Sequence, residues 1–211
     1  MKKKTVLFQG DSITDVNRIR ENSAHLGCGY PNLAASAIAY EEPEKYVFIN
    51  RAISGDRIID LQARIKRDII NLEPDIMSIL IGVNDVWHEI ADKNGLSTAK
   101  FELMYDMLID EVKTAVPQIK LMILEPFVLK GEATEKNWIE FRGDTAEKAE
   151  AARRIAKKYD ILFIPLQEKF NEAAKNISPA YWLYDGVHPT IAGHELIKRE
   201  WLKAFRSISL S

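Results

Sequence analysis

The chain has 211 residues, 46% of them hydrophobic and 28% charged, which is enough to bury one substantial core, and residues 1–211 are read as a single domain. A formal net charge of -2 gives no electrostatic reason to bind nucleic acid, and no apolar run approaches the roughly 20 residues of a membrane-spanning helix. The single cysteine, Cys28, excludes an internal disulfide and suits a reducing cytoplasm.

Lys2, Lys3 and Lys4 precede only Val6, Leu7 and Phe8 before Gln9 and Gly10 interrupt the apolar run, too little for the h-region of a signal peptide, so a cytoplasmic location is expected. Residues 5–9 read as a first strand, ending at Gly10-Asp11-Ser12. Residues 46–52 read as a second strand, ending at Ser54-Gly55-Asp56. Ile58, Leu61, Ile65, Ile69 and Leu72 then fall on one face of a helix. Residues 75–81 form a third strand candidate, followed by Gly82-Val83-Asn84-Asp85, and residues 120–124 a fourth. Pro, Gly and charged residues make 125–143 a loop, either a solvated connection or a pocket rim with Phe127 and Trp138 as its apolar members. A fifth strand over 162–165 precedes Asp185-Gly186-Val187-His188-Pro189, and Ile197, Trp201, Leu202 and Phe205 mark the inner face of a final helix.

Short, nearly continuous apolar strands alternating with helical segments predict an α/β fold. The expected form is a three-layer α/β/α sandwich on a five-stranded parallel sheet in flavodoxin-like order. In such sheets ligands bind at the carboxyl ends of the strands. Ser12, Gly55 and Asn84 each follow one of the first three strands, so residues far apart in sequence are expected to converge there.

The residue types at these positions suit ester hydrolysis. A serine hydroxyl is a weak nucleophile that needs a base, and an imidazole base needs a partner to fix its tautomer. His188 and Asp185, three residues apart, can supply both, so Ser12, Asp185 and His188 are the catalytic candidates. The backbone N–H groups of Ser12 and Gly55 and the side-chain amide of Asn84 can stabilise an oxyanion. Taken singly, Ser12 reads as a helix cap, Gly55 as a turn glycine and Asn84 as a cap.

The four blocks Gly10-Asp11-Ser12, Gly55, Gly82-Val83-Asn84-Asp85 and Asp185-Gly186-Val187-His188-Pro189 resemble, in order and over nearly the whole chain, those of the SGNH (GDSL) hydrolase superfamily. The resemblance implies that Ser12 is the nucleophile, His188 the general base and then acid, and Asp185 its orienter. It likewise implies that Ser12, Gly55 and Asn84 are the oxyanion donors. The segments 10–15, 27–30, 81–87 and 188–194 are similar to those of bacterial esterases that deacetylate xylo-oligosaccharides. That likeness implies acetyl release from carbohydrate. Lysophospholipase or thioesterase activity is the alternative within the superfamily, and a carbohydrate-binding or scaffold protein on the same fold is the non-enzymatic alternative.

Trp87, Asp15, Tyr30 and Tyr184 are candidate substrate-binding residues, each with an ordinary packing or capping role as the competing explanation. Asp11 and Asp85 are better explained by turn or cap hydrogen bonds than by acid–base chemistry. Cys28 is expected to be a small buried residue rather than a rival nucleophile. His25, His88 and His194 have no metal-ligand spacing, so no metal and no cofactor are expected, and His194 is assigned a structural role. The expected partner is a small-molecule ester, with neither nucleic acid nor membrane. The resemblance, together with the aromatic residues of the final helix, suggests a homo-oligomer.

Overall fold

A computed structural model describes residues 2–209. Strand β1 (Lys4–Gly10) is buried from Val6 to Gly10, as a strand covered on both faces must be. It leads into the single-turn helix α1 (Ser12–Asp15), capped by Asp11, whose Oδ1 accepts the Ile13 N–H at 3.0 Å. Helix α2 (Tyr30–Glu41) has Pro31 in its first turn, where no helical N–H is lost. Strand β2 (Tyr46–Asn50) follows.

The single helix expected through Ile58 and Leu72 is broken into α3 (Ile58–Ala63), α4 (Ile65–Asp68) and a 3-10 turn over Ile70–Leu72. The break falls at Arg64, at φ -118° and ψ 16°. Its guanidinium donates to Asp56, to Asp68 Oδ2 at 2.8 Å and to the Arg51 carbonyl at 2.8 Å. Satisfying those partners from one side chain interrupts the helix. Ile58, Leu61, Ile65 and Ile69 still reach the core, but Leu72 is only half-buried.

Strand β3 (Ile76–Leu80) is followed by α5 (Val83–Asp92) and α6 (Thr98–Ala115). Strand β4 (Lys120–Leu124), helix α7 (Trp138–Lys158) and strand β5 (Leu162–Ile164) come next. The chain closes with α8 (Gln167–Ala173), α9 (Pro179–Trp182) and α10 (Ile191–Ser209). Segment 125–143 is therefore not all loop, because α7 begins at Trp138. Of the charged residues that suggested a loop, Glu135 and Lys136 are exposed just before it and Glu140 and Arg142 are exposed on it. Phe127 is no rim residue either: it is fully buried, with its ring centroid 4.4 Å from that of Phe170.

The five strands are all parallel, in the order β2-β1-β3-β4-β5. Alternate residues serve opposite layers. Phe8, Leu80 and Met122 pack with Ile38, Trp201 and Phe205 of α2 and α10, while Leu7, Met77 and Ile123 pack with Leu61, Leu108 and Ile155 of α3, α6 and α7. Ile197, Trp201, Leu202 and Phe205 of α10 are buried in the core, whereas Ile191 on the same helix is exposed. Because β1 lies between β2 and β3, with Phe8 opposite Asn50 and Gly10 opposite Leu80, the three strands end at one edge and deliver their following residues to one place.

Candidate active site

Ser12 is the first residue of α1, directly beyond β1, with its hydroxyl presented at the sheet edge. Its Oγ lies 3.0 Å from His188 Nε2, and His188 Nδ1 lies 2.6 Å from Asp185 Oδ2. Asp185 Oδ1 accepts the backbone N–H groups of Val187 at 2.9 Å and His188 at 2.8 Å. Both carboxylate oxygens are therefore engaged, so the Asp185 side chain is fixed before it orients the imidazole. Burial opposes the charge on Asp185, but these hydrogen bonds and the neighbouring His188 hold its carboxyl below the usual range. The Asp185 hydrogen bond raises the His188 pKa, against the opposing effect of burial and with help from the charges of Asp185 and Asp11.

The loop carrying Asp185 and His188 is closed by an antiparallel bridge between Leu183 and Pro189. It is supported from behind by segment 125–137: the Leu129 N–H donates to the Gly186 carbonyl at 2.9 Å and the Ala133 N–H to the Asp185 carbonyl at 2.9 Å. Gly131 makes this approach possible, since a Cβ there would stand 2.5 Å from the Asp185 carbonyl carbon. A pocket rim was one expectation for this segment. Its Leu129–Ala133 portion instead abuts the back of the Asp185 loop.

Between Ile53 and Asp56 the chain makes a turn, closed by the Asp56 N–H to the Ile53 carbonyl at 3.1 Å, with Gly55 at φ 87°. The Gly55 N–H, on the central peptide of this turn, makes no hydrogen bond among the described residues. The Asn84 Nδ2 donates to the Asp56 carbonyl at 3.1 Å, which pins the Asn84 amide beside the turn and leaves its second N–H free. Asp15 secures the other side: its Oδ2 accepts the Ser54 N–H at 3.0 Å and its Oδ1 the Arg18 N–H at 3.2 Å.

Asp11 and Asp85 act as caps, as expected. Asp85 Oδ2 accepts the Ile58 N–H at 3.2 Å and so ties α5 to the start of α3. Burial pushes both carboxyls up to about 7, and each retains one oxygen without a hydrogen-bond partner among the described residues.

A cavity of about 300 Å³ opens in front of Ser12 and His188. The Tyr184 ring stacks on the His188 ring at 5.6 Å and 15°, and the half-buried Trp87 lies 5.7 Å from the same imidazole on a tilted plane. Asp15 lines the cavity, but both of its oxygens already hold backbone. Tyr30 is removed from the set. It is fully buried, its hydroxyl 3.0 Å from Thr14 Oγ1 and its ring edge-on to Phe8, because its position at the start of α2 turns it into the core. Cys28 is exposed rather than buried. Among the described residues no group of histidine, cysteine and carboxylate side chains is arranged to hold a metal ion.

Sequence reasoning missed the place of His194. It lines the same cavity, and its Nδ1 accepts the Tyr30 N–H at 3.3 Å, so a neutral ring carries its proton on Nε2. Burial and then the nearby His188 lower its pKa to about 4, which keeps it neutral. The signal available was its position on the first turns of α10, six residues beyond His188.

A parallel α/β sheet with a hydroxyl, an imidazole and a carboxylate in hydrogen-bonded series at its carboxyl edge is the architecture of a hydrolase. The sequence profile of the GDSL-like Lipase/Acylhydrolase family matches residues 8–196, and the chain belongs to that family and is a carboxylic ester hydrolase. It is 33% identical over 207 residues to an acetylxylan esterase of Geobacillus stearothermophilus, covering 94% of this chain and 92% of that one. A solved structure described as a GDSL-like lipase from Parabacteroides merdae superposes with a TM-score of 0.91 at 32% identity, over 96% of this chain and 95% of that one. Structures of Axe2, an acetylxylan esterase from Geobacillus stearothermophilus, superpose with a TM-score of 0.85 at 31% identity over 95% and 93% of the two chains. They include catalytic mutants in which an aspartate or a serine is replaced by alanine.

Proposed function

We propose that the protein is a serine acetylesterase that removes acetyl groups from carbohydrate, such as xylo-oligosaccharides, through an acyl-enzyme. The observation that carries this reading is the unbroken series Ser12 Oγ, His188 Nε2, His188 Nδ1 and Asp185 Oδ2, with separations of 3.0 Å and 2.6 Å. Asp185 holds the proton of neutral His188 on Nδ1, leaving the Nε2 lone pair directed at Ser12. As Ser12 Oγ attacks the ester carbonyl, its proton passes to Nε2 and negative charge develops on the carbonyl oxygen. The N–H groups of Ser12 and Gly55 and the free N–H of Asn84 receive that charge. Collapse expels the alcohol, which takes the proton from His188. Water, deprotonated by the same nitrogen, then releases the acid from Ser12.

Tyr184 and Trp87 flank the imidazole with aromatic faces of the kind that cover a sugar ring, and His194 offers a fixed Nε2–H donor. Asp15 is a positioning residue, holding the Ser54 N–H and hence the Gly55 turn. A cavity of about 300 Å³ with Ser12, Asn17, Ser54, His188 and His194 in its wall beside Ile13, Val16 and Pro189 supports a short acyl group, and Phe127, which a longer acyl groove could have used, is buried in the core. The acetylxylan esterase relatives support the same substrate class. The reading includes a cytoplasmic location, which suits the exposed free thiol of Cys28, and leaves self-association to be measured by solution mass.

Initial rates on p-nitrophenyl acetate and p-nitrophenyl octanoate test the acyl preference, and acetate release from acetylated xylo-oligosaccharides tests the substrate. Acetate is expected to be preferred, with Ser12→Ala lowering turnover by ~10³-fold or more. Equal or faster octanoate hydrolysis would overturn the short-acyl assignment.

A further inference from the structure

A second cavity, of about 350 Å³, is lined by Arg18, Arg20, Arg51, Ile53, Arg67 and Asp68. Four arginines around one small cavity are unexpected in a chain whose formal net charge is -2. Their carboxylate partners do not balance them. Asp68 is shared between Arg64 and Arg67, at 2.8 and 2.9 Å, and Asp15 stands 3.9 Å from Arg18 and 3.7 Å from Arg20, longer than hydrogen bonds. Arg51 has neither ion pair nor side-chain hydrogen bond among the described residues, and its Nε is buried without a partner. A half-buried, unpaired guanidinium beside three other cations is costly unless an anion completes it. Burial above all, and to a lesser degree the charges of Arg51, Arg20 and Arg64, lowers the Arg18 pKa despite Asp15.

The cavity adjoins the catalytic one. Asn17 and Ser54 line the Ser12 cavity, while their chain neighbours Arg18 and Ile53 line the arginine cavity. The ridge between them is rigid, because Arg18 Nε donates to the Ala52 carbonyl at 2.8 Å and the Ser54 N–H to Asp15 at 3.0 Å. A molecule with its ester at Ser12 needs to cross only this ridge to reach the guanidinium groups of Arg51, Arg20 and Arg18; the Arg67 fork is already held by Asp68, and the planar fork of the unpartnered Arg51 matches a carboxylate or phosphate.

We propose that the arginine cavity is a subsite for one oxyanion group, a carboxylate or phosphate, carried by the part of the substrate that leads away from the ester. The site itself follows from the unpaired arginines; its attachment to the substrate rests on the esterase reading above.

Calorimetric titration of the full chain with sodium glucuronate and with inorganic phosphate, at low ionic strength, tests the site without any turnover. Saturable binding of at least one probe is expected, weakened about tenfold in Arg51→Gln and in Arg20→Gln, as for loss of one charged hydrogen-bonding group. Arg20 has 56% of its side chain exposed, so its replacement leaves the fold intact should Arg51→Gln not fold. The second arm compares kcat/KM on acetylated xylo-oligosaccharides with and without a uronic acid branch. The acidic substrate is expected to be favoured, and the ratio to fall about tenfold in Arg51→Gln. Saturable anion binding with no preference for the acidic substrate would overturn the substrate assignment in favour of a free anion. No saturable binding of either probe would overturn the site, and a changed solution mass in Arg51→Gln would then assign these arginines to a contact between copies of the chain. Absence of Ser12-dependent turnover would defeat the esterase reading alone, since the titration does not depend on it.

Discussion

Ser12, Gly55 and Asn84 hang from the ends of three adjacent hydrogen-bonded strands, whereas Asp185 and His188 ride on a loop held by another loop. On the first side, strand register sets the spacing, and Asp15 and Asn84 each clamp the Gly55 turn with a single hydrogen bond. On the second, one bridge between Leu183 and Pro189 and two hydrogen bonds from Leu129 and Ala133 carry the load, with Gly131 allowing the contact. In the proposed mechanism the chemistry is local to each side: oxyanion donors on the sheet, proton transfer on the loop. The 3.0 Å contact between Ser12 and His188 is the seam between them, so damage to either side should be separable by its kinetics.

The largest separable effect is expected on the sheet side. Asn84→Ala removes one of the proposed oxyanion donors and should lower kcat by roughly 10²- to 10³-fold, with KM little changed. Rates within tenfold of wild type would mean that the backbone donors suffice. Gly131→Ala attacks the loop side from behind. Its Cβ would meet Asp185 and Gly186 backbone at 2.5 Å, so the loop must move. We expect kcat to fall about tenfold and stability by about 1–3 kcal/mol, read by steady-state kinetics and thermal melting. Wild-type values for both would show that the loop is held by its own bridge.

The proton-transfer side also predicts a pH profile. His188 acts as a base only when neutral, and its pKa is raised by Asp185, so kcat/KM should reach half its plateau above the ordinary histidine value of about 6.5 and fall below it. A profile flat from pH 5 to 8 would contradict the role. Asp11→Asn gives the smallest effect. The Asp11 carboxylate contributes to raising His188, so the acidic limb should move to lower pH in the variant. The variant should also alter stability. A carboxyl with a folded pKa of about 7 and an unfolded value near 3.8 binds more protons folded than unfolded between those values, so stability drops as pH rises through that window. Asp11→Asn removes that slope, and its melting temperature relative to wild type should be higher at pH 8 than at pH 5.

Much of this was legible before any coordinates. Short apolar strands of residues 5–9 and 120–124 lie close to the observed limits because a parallel strand buried on both faces has no polar positions to confuse the pattern. What failed involved residues whose neighbours come from elsewhere in the chain. Tyr30 and Phe127 look like pocket aromatics in sequence, yet Tyr30 meets Thr14 and Phe127 meets Phe170 in the core. Arg64 interrupts a well-patterned helix through contacts with Asp56 and Arg51 that no period reveals. His194 lines the cavity from α10, with its Nδ1 held by the backbone N–H of Tyr30, a contact across 164 residues.

By itself, the sequence determined the alternation of buried strands and helices and the residue types that stand at the strand ends, because burial pattern and turn chemistry are local properties of the chain. Tertiary structure alone decided that His188 meets Ser12 across 176 residues, that Gly131 lets one loop approach another, and that the Arg51 side chain has no hydrogen-bond partner among the described residues in a crowd of like charges. Those outcomes depend on distances between segments, which strand order and packing set and which no local pattern encodes.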